Sequence, residues 1–429
     1  MAQVKRKNWQ LRTYLAARTL LQPTMRWVLK RRLDQGKEDS GRVREKLGES
    51  SLSRPDGSLV WMHAVGLGEV MALRPLLVAM QAIQPDLNFL LTSTARSSAR
   101  VIGANLPPRT VHQFLPLDGP KFMKGFLDHW QPDLSIWSEQ DLWPGAICDA
   151  ADRGIPLAYV NVRLSADAVA RRSRVKGLYG DMLSRFALIS AQDAQSATAI
   201  HALGGRVNRP NCNLKPAAEP LAADQEVLNA FKKTLTGRAV WVAASTHAAD
   251  EAVAIAAHAH RLAMDPAALL ILVPRIPGRA PAIGAALKAA GLTFVTRSSG
   301  DMPDGAMQVF LADSFGELGL WYRLARHAFI GASFGGLGGH NPWEAICLGV
   351  PVLAGPNTDN FRNDYKILID KKLCRFLAPD DTAAEKLACA FSEEEILIAR
   401  NLATKIVNEA RASIAPIARD LVSMMGPHQ

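Results

Sequence analysis

Short runs of apolar residues alternate with longer stretches of helical periodicity along most of the chain. The first run is Leu59–Val65, and a glycine-rich turn and a helix from about Glu69 follow it. Regular alternation of strand-length and helix-length segments predicts parallel, doubly wound α/β sheets. Further strands in the first half are predicted at Asn88–Leu91, Leu134–Trp137, Leu157–Asn161 and Ala187–Ser190.

A second series of the same kind follows a Pro-rich stretch, 215–220, which is interpreted as a linker between domains. The chain from about Ser392 onward reads as helix. We therefore expect two similar α/β domains with a cleft between them, and ligand-binding loops at the carboxyl ends of the strands. The second-half strands are predicted at Val240–Ala244, Leu269–Val273, Thr293–Thr296, Val309–Leu311, Ala328–Ile330 and Pro351–Leu353.

The composition narrows the class of protein without identifying it. A chain of 429 residues with 48% apolar and 21% charged residues is long enough for two or three domains. These proportions exclude a disordered chain, a collagen-like fibre and a disulfide scaffold. The 5 cysteines form no CxxC pair, which indicates reduced thiols in a cytosolic compartment and gives no zinc pattern.

The positive charge is concentrated at the N-terminus. Residues 1–50 hold 13 Lys and Arg against 5 Asp and Glu, out of a net charge of +10 for the chain. They contain neither a spanning apolar stretch nor the pattern of a signal peptide. Because basic residues alternate with apolar ones such as Trp9 and Trp27, this segment suits an anionic membrane surface; packing on its own domain is the alternative. Nucleic acid is not favoured, because no motif for it follows.

The loop after the first predicted strand is a candidate for acid–base chemistry. Gly66 and Gly68 permit a tight turn, and Glu69 falls in the first turn of the following helix. The helix dipole stabilises a carboxylate there as the anion, so that it would be available as a base. Alternatively, Glu69 merely complements the helix N-terminus.

Two further strand-terminal loops carry polar side chains. Glu139 and Asp141 follow a strand and could hold sugar hydroxyls, or could belong to a capped helix start. Ser245, Thr246 and His247 follow another strand, where backbone N–H groups can bind phosphate. Ordinary helix capping is the alternative for this second group.

Two loops of the second half suit an anionic ligand with hydroxyl groups. Arg275 directly follows an apolar strand, where a guanidinium suits phosphate or carboxylate, although a surface salt bridge is the alternative. The segment 331–344 has five glycines in its first nine residues, and its backbone amides could wrap an anion. Asn341 and Glu344 follow three residues apart, and a Glu at this place suits a ribose diol. A flexible linker is the alternative.

Taken in order, these segments resemble the 3-deoxy-D-manno-octulosonic acid (Kdo) transferases, in an ordinary or a divergent form. The resemblance extends from about Leu11 to about Met424. The matching segments are HAVGLGEV (63–70), FLPLD (114–118), EQDLWP (139–144), NVRLS (161–165), NLK (213–215), ASTH (244–247), PRIPGR (274–279), DSFGELGLWY (313–322) and GGHNPWEA (338–345).

The resemblance implies an α/β GT-B glycosyltransferase with two Rossmann-like domains and an intervening cleft. It implies inverting transfer of Kdo from CMP-Kdo to a lipid A precursor, lipid IVA, without metal or other cofactor. The expected place is the cytoplasmic face of the bacterial inner membrane, at an anionic surface. We expect a membrane-associating segment at 1–50, an acceptor domain at 51–215 and a CMP-sugar domain at 221–429; the final helices belong to this last domain or pack back on the acceptor domain.

The resemblance also implies roles for individual residues. Glu69 is the expected general base, and Arg96 and Arg275 are the expected cations beside the Kdo carboxylate and the CMP phosphate. Glu139 resembles a structural or acceptor-side residue, and Gly66 and Gly68 belong to the loop that approaches the substrate. The expected donor contacts are Lys215, Ser245, Thr246, His247, Gly338, Gly339, His340, Asn341 and Glu344.

The sequence departs from the family pattern at three positions. Gly66 stands where the family usually has Ser, Ile276 stands where it has His, and Asp141 replaces Glu. Two alternatives therefore stay open. One is a GT-B transferase that uses a CMP-sugar with a different glycan acceptor, and the other is a non-catalytic membrane-associated binding protein.

Overall fold

The structure is a computed structural model that describes residues 8–64, 67–94, 106–210, 212–380 and 382–426, without the side chains of residues 67–71. The chain folds into two compact units. Unit 1 contains the chain up to Ala218 and the segment from Ala410, and unit 2 is Glu219–Glu409.

Unit 1 is built on a parallel sheet. Its strands in the described chain are β1 (Leu59–His63), β2 (Asn88–Ser93), β3 (Thr110–Phe114), β4 (Leu134–Ser138), β5 (Leu157–Val162) and β6 (Leu188–Ala191). They lie in the order β3-β2-β1-β4-β5-β6, the order of a doubly wound nucleotide-binding fold. Because β1 pairs with both β2 and β4, the strand order reverses between β1 and β4.

Helices connect these strands. They are α1 (Trp9–Leu20), α2 (Gln22–Asp34), α3 (Leu67–Ile83), α4 (Pro120–Trp130), α5 (Pro144–Asp152), α6 (Ala166–Ser173), α7 (Lys176–Leu183) and α8 (Ala194–Ala202). Buried aromatic side chains pack on one face of the sheet: the Trp61 ring lies 5.0 Å from Phe126 of α4 and 5.4 Å from Trp137 of the neighbouring strand β4, both edge to face. Such pairs add to the stability that burial of the rings already provides.

Unit 2 repeats this plan. Its strands in the described chain are β7 (Val240–Thr246), β8 (Leu269–Pro274), β9 (Phe294–Thr296), β10 (Val309–Leu311), β11 (Ala328–Ile330), β12 (Val352–Ala354) and β13 (Cys374–Phe376). They lie in the order β13-β12-β11-β7-β8-β10-β9, and the described pairs are parallel. The order reverses between β7 and β11, so this is where a ligand site is expected.

The helices of unit 2 cover both faces of its sheet, and the last of them continues into unit 1. They are α9 (Gln225–Thr234), α10 (Ala248–Met264), α11 (Ala280–Ala289), α12 (Leu318–Leu324), α13 (Trp343–Ile346), α14 (Arg362–Asp370), α15 (Ala383–Ala388) and α16 (Glu393–Ser423).

Helix α16 contributes apolar side chains to two cores. Ala399 and Ala403 belong to the core of unit 2, whereas Ile417 and Leu421 belong to the core of unit 1. Within the described residues, neither this 31-residue helix nor any other combines the length and the apolar character that crossing a membrane requires.

The first two helices, which the sequence marks as a basic amphipathic segment, differ in burial. In α1, Leu11 is fully buried and Arg18 pairs with Asp118 and Asp149, at 3.3 and 2.6 Å. Tyr14 donates a hydrogen bond of 2.6 Å to Asp118. Helix α1 is therefore packed on unit 1. Large apolar side chains nevertheless stay exposed along α1, α2 and their junction, at Trp9, Leu20, Leu21, Trp27 and Val28.

Two strands were not predicted, and the segment predicted as a linker is ordered. The missed strands are β3 and β13, whose sequences TVHQF and CRF are short and carry polar residues. The stretch after residue 214 is a 3-10 helix, Lys215–Ala217, whose side chains are buried in unit 1. Its proline therefore begins a short helix and does not mark an extended connection.

Candidate functional site

The two strands that flank the reversal in unit 2 approach each other closely at their carboxyl ends. Ser245 has a left-handed backbone (φ 55°), and the pairing of β7 with β8 shifts register between Ala244 and Thr246. Gly331 follows β11 and lies against this turn: a Cβ there would come within 2.5 Å of the Ser245 carbonyl oxygen. Only glycine allows this approach, which brings the predicted segments 245–247 and 331–344 together.

A buried carboxylate holds these two segments in place. Asp250, in the first turn of α10, accepts a hydrogen bond of 3.0 Å from the backbone N–H of His247. It also accepts from the backbone N–H groups of Ala332, Ser333 and Phe334, at 2.7 to 3.1 Å. Asp250 was not among the predicted site residues; its place three residues after the N-cap residue His247 is the signal of a capping box.

Two of the predicted donor contacts, His247 and His340, form a pair. Their Nε2 atoms lie 3.4 Å apart, and their rings stack with centroids 5.6 Å apart. Burial, with the nearby charges of Arg275 and His247, lowers the pKa of His340 to about 4. At neutral pH the His340 ring is therefore uncharged, and it can contact a ligand through hydrogen bonds.

The carboxyl group of Glu344, four residues after His340, has a raised pKa. Burial raises the pKa of Glu344 to about 7, although the charge of Arg275 and a hydrogen bond from Asn341 oppose the rise. Arg275 follows β8, where its backbone N–H donates 3.0 Å to the Thr246 carbonyl, and its side chain is exposed. The site therefore combines the exposed cation of Arg275 with the uncharged imidazole of His340 and with the Glu344 carboxyl, which is about half protonated at pH 7.

The glycine-rich segment is a fixed turn in the structure. Gly338 and Gly339 have left-handed backbones, with φ of 83° and 75°. The N–H of Gly339 donates to the Ala332 carbonyl at 2.8 Å, and that of His340 donates to the Gly331 carbonyl at 3.2 Å. These two amides are therefore occupied within the loop, and the expectation that the backbone amides of the segment wrap an anion stays a prediction for residues 335–338. The two glycines supply the backbone geometry that places His340.

The predicted residues Glu139 and Lys215 meet in unit 1. Glu139 follows β4, is buried, and lies 3.6 Å from the Lys215 ammonium and 3.5 Å from the Asn161 amide nitrogen. Tyr159 donates a hydrogen bond of 2.5 Å to the Glu139 carbonyl. The resemblance assigned Lys215 to the donor side. The structure places it beside Glu139 in unit 1, whereas the other expected donor contacts with described side chains belong to unit 2.

The departure at Asp141 has a structural role. The buried His63, at the end of β1, contacts Thr92 through Nδ1 at 2.9 Å and Asp141 through Nε2 at 3.4 Å. Trp143 donates 2.9 Å to the same carboxylate oxygen. Burial alone would raise the pKa of Asp141, but these hydrogen bonds hold it below its ordinary value. Asp141 thus links the loop after β4 to the end of β1.

Four predicted residues belong to the segments that follow β1 and β2 in the sequence. Gly68 and Glu69 lie in the first turn of α3. Gly66 and Arg96 lie outside the described residues, so their expected roles stay predictions. Within the described chain, the His, Cys, Asp and Glu side chains form no group of three or more that could hold a metal ion. The expectation of metal-independent chemistry also stays a prediction.

The geometry of unit 2 suits one class of ligand. An exposed guanidinium, an uncharged imidazole and a carboxyl group lie at the point where the strand order reverses, at the carboxyl edge of a parallel sheet. This is the usual place of nucleotides in doubly wound folds. A cation near hydroxyl-binding groups is complementary to a phosphate carried by a sugar.

Known proteins of similar sequence cover most of the chain. A family profile described as 3-Deoxy-D-manno-octulosonic-acid transferase (kdotransferase) matches residues 41–217. A Haemophilus influenzae protein named 3-deoxy-D-manno-octulosonic acid transferase is 34% identical over 342 residues, which are 77% of this chain and 79% of that protein. A Rickettsia bellii protein of the same name is 33% identical over 355 residues, 81% of this chain and 84% of that protein.

A solved structure gives the fold independently. The UDP-GlcNAc 2-epimerase from Neisseria meningitidis bound to UDP-GlcNAc matches with a TM-score of 0.55 at 12% identity, over 86% of this chain and 98% of that one. At this identity the likeness concerns the fold alone, and the predicted GT-B class with two Rossmann-like sheets is confirmed. Since the sequence relatives are 33–34% identical over most of their length, the chain belongs to the 3-deoxy-D-manno-octulosonic acid (Kdo) transferase family.

Proposed function

We propose that this protein transfers Kdo from CMP-Kdo to a lipid A precursor, lipid IVA, with inversion at C2 of Kdo. The observation that carries the proposal is the grouping of Arg275, His340 and Glu344 at the strand reversal of unit 2, in a chain of this family. The relatives reported above are named 3-deoxy-D-manno-octulosonic acid transferase, which names the sugar that is transferred. The acceptor and the stereochemistry are inferred from the family resemblance.

The donor would bind in unit 2 through charge and hydrogen bonding. Arg275 is the exposed cation, so it would face the CMP phosphate, where a guanidinium can form two hydrogen bonds. His340 is neutral at pH 7 and would donate or accept a hydrogen bond on the same phosphate or on the Kdo carboxylate. Glu344 would accept hydrogen bonds from the ribose hydroxyls.

The reaction needs one proton transfer and one displacement. Glu69, in the first turn of α3, would take the proton from the acceptor hydroxyl. The acceptor oxygen would then bond to C2 of Kdo while the bond from C2 to the phosphate oxygen breaks. The electron pair leaves with CMP, where Arg275 would stabilise the new negative charge. Attack opposite the leaving group inverts C2, and no metal takes part in this scheme.

The N-terminal helices support association with an anionic membrane surface, at the cytoplasmic face of the inner membrane. Trp27 is 62% exposed and Leu20 is 79% exposed. Exposed basic residues, among them Arg26, Lys30 and Arg31, lie on the same two-helix segment. An exposed Trp with neighbouring cations is typical of a helix that lies in the headgroup region.

A transfer assay tests the proposal directly. The full chain is incubated with CMP-Kdo generated in the same reaction and with lipid IVA, and the lipid is analysed by mass spectrometry. A mass gain of one or more Kdo residues is expected. Absence of any gain, in a protein that binds CMP, would contradict the proposed acceptor and favour another glycan acceptor or a binding protein without turnover.

Two carboxyl variants separate the proposed base from a general effect of charge. Glu69→Gln should lower the transfer rate at least about 100-fold, the size usual for loss of a general base, and should leave CMP affinity unchanged. Glu409→Gln, on an exposed part of α16, is the matched control and should behave as wild type. Equal rates for both variants would remove Glu69 from the reaction.

A further inference from the structure

An apolar groove lies around α2 in unit 1. One wall consists of Leu21, Met25, Val28 and Leu29, and Leu117 faces them from the segment that follows β3. Its volume is about 250 Å³. This is below the roughly 300–1,000 Å³ of common small-molecule sites. The groove therefore suits a narrow apolar chain and not a sugar ring with its polar substituents.

One end of the groove is charged and connects to the carboxyl edge of the sheet. Arg32 and Glu38 line this end, and their side chains pair at 2.6 Å. Glu38 also binds the Lys46 ammonium at 2.6 Å, and Lys46 donates 3.2 Å to the carbonyl of Thr94, one residue beyond β2. The Arg32 side chain is 51% exposed, so its guanidinium also faces solvent at the groove end.

We infer that this groove receives an acyl chain of the acceptor lipid, while the polar part of that lipid lies along the carboxyl edge of the unit 1 sheet. The inference rests on the proposed function, because it takes the acceptor to be an acylated sugar. The apolar walls match a hydrocarbon chain, and Arg32, whose guanidinium faces solvent beside Glu38, matches an anionic group near the origin of that chain.

The position of the groove favours the acceptor over an ordinary bilayer lipid. Trp27 and Leu20 are the most exposed apolar residues of the α1–α2 segment apart from Trp9, and neither lines the groove. They are available to the bilayer on their own. The groove instead runs towards the strand ends, because Leu117 follows β3 and the contacts of Arg32 and Lys46 lead to β2.

Photolabelling tests the location without requiring turnover. Lipid IVA with a diazirine in one acyl chain is irradiated with the full chain in detergent, and the labelled peptides are identified by mass spectrometry. Label should appear on Met25, Val28 or Leu29 and on Leu117, as assigned by fragmentation of the labelled peptides. Label confined to the exposed Trp9, Leu20 and Trp27 would overturn the inference, as would full displacement by an excess of phosphatidylglycerol.

A matched pair of variants tests the energetic role. Val28→Asp and Val78→Asp place the same charge at exposed valines of α2 and α3, but only Val28 lines the groove. Each buried methylene is worth about fourfold in affinity, so wild type and Val78→Asp should prefer lipid IVA over its deacylated form at least tenfold in kcat/KM. Val28→Asp should lose at least tenfold of that preference and keep its rate on the deacylated acceptor.

The outcomes distinguish the two proposals. The groove proposal would be overturned if the transfer rate did not depend on acylation of the acceptor, or if both variants showed the same preference for lipid IVA. Either result would leave the proposed function standing. Label in the groove without transfer to lipid IVA would contradict the proposed function alone. Thermal unfolding of Val28→Asp checks that the variant is folded, and the photolabelling decides the location in either case.

Discussion

At the scale of single residues, the Glu344 carboxyl has a strongly raised pKa. Its pKa of about 7 lies above the ordinary value of 4.5 because burial disfavours the charged form. The unfolded chain therefore releases this proton at lower pH than the folded chain. It follows that Glu344 lowers the stability of the protein progressively as the pH rises from 4.5 to 7.

Replacement of Glu344 by Gln should separate stability from binding. Because the amide does not ionise, we expect the variant to gain about 1–2 kcal/mol in unfolding free energy at pH 8 and nothing at pH 4.5. If Glu344 holds the ribose, CMP affinity should fall about tenfold at pH 8. Thermal unfolding at both pH values and calorimetric titration with CMP measure the two effects. A gain of equal size at both pH values would contradict the assignment of the shift to Glu344.

The buried pair of Glu139 and Lys215 makes a different prediction. Lys215→Met should lower the unfolding free energy by about 3–5 kcal/mol, because it leaves the Glu139 carboxylate buried without its ammonium partner. The double variant Glu139→Gln, Lys215→Met should recover at least half of this loss. Urea unfolding measures both. A double variant as unstable as the single one would show that Lys215 acts through contacts other than Glu139.

At the scale of elements, a buried cation is one of the contacts that attach helix α1 to the rest of unit 1. Arg18 pairs with Asp118 and Asp149, and Gly145 at the start of α5 leaves the space that the guanidinium occupies. A Cβ at Gly145 would overlap both the Arg18 guanidinium and the Asp118 carboxylate. The position of α1 thus depends on the absence of a Cβ atom at Gly145.

Gly145→Ala should therefore loosen α1. We expect a loss of about 3–5 kcal/mol, since the two carboxylates lose their cation, and faster proteolysis near residues 20–35. Gly305→Ala, where a Cβ would meet nothing within 4 Å, is the matched control. Limited proteolysis with mass spectrometry compares the two variants. Identical cleavage patterns would show that Arg18 can move without releasing the helix.

At the scale of the whole molecule, buried histidines make the protein sensitive to acid. Burial lowers the pKa of His112 and His258 to about 4 and that of His327 to about 3, from an ordinary value of 6.5. His258 shows the reason: its Nδ1 accepts from the Trp241 indole at 3.2 Å, and its Nε2 contacts the Gln308 carbonyl at 2.7 Å. Protonation of Nδ1 would place its N–H against the Trp241 indole N–H, which is also a donor.

Stability should therefore fall as the pH drops from 6.5 towards 4, because the unfolded chain binds more protons in this range. A single histidine shifted by this amount contributes on the order of 3 kcal/mol. His258→Gln keeps a donor for the Gln308 carbonyl and does not titrate, so its loss of stability between pH 7 and pH 4.5 should be smaller than that of wild type. Urea unfolding of the variant and of wild type at the two pH values measures these losses. Equal losses would assign the acid sensitivity to other groups.

The strands and the last helix show how much of the fold can be predicted from local sequence. Val309–Leu311 and Ala328–Ile330 are strands within the predicted bounds, and Glu393 begins the predicted C-terminal helix. Strand β3 was missed because its polar residues are satisfied by distant partners. His112 contacts Ser93 at 2.9 Å, and Gln113 accepts from the Trp130 indole at 2.8 Å. A periodicity rule cannot anticipate partners that only the folded sheet supplies.

The candidate site also has features that the local sequence predicts and features that it does not. Apolar runs, glycines and the polar residues after each strand are local features, so the linear chain was enough to predict two α/β sheets, the family, and the loops that carry His247, Arg275 and His340. Which groups meet, and in what charge state, depends on contacts between segments far apart in the chain. Only the tertiary structure could place Lys215 against Glu139, show Asp250 joining two loops, and raise the pKa of Glu344 by burial, because desolvation and pairing arise when those segments come together.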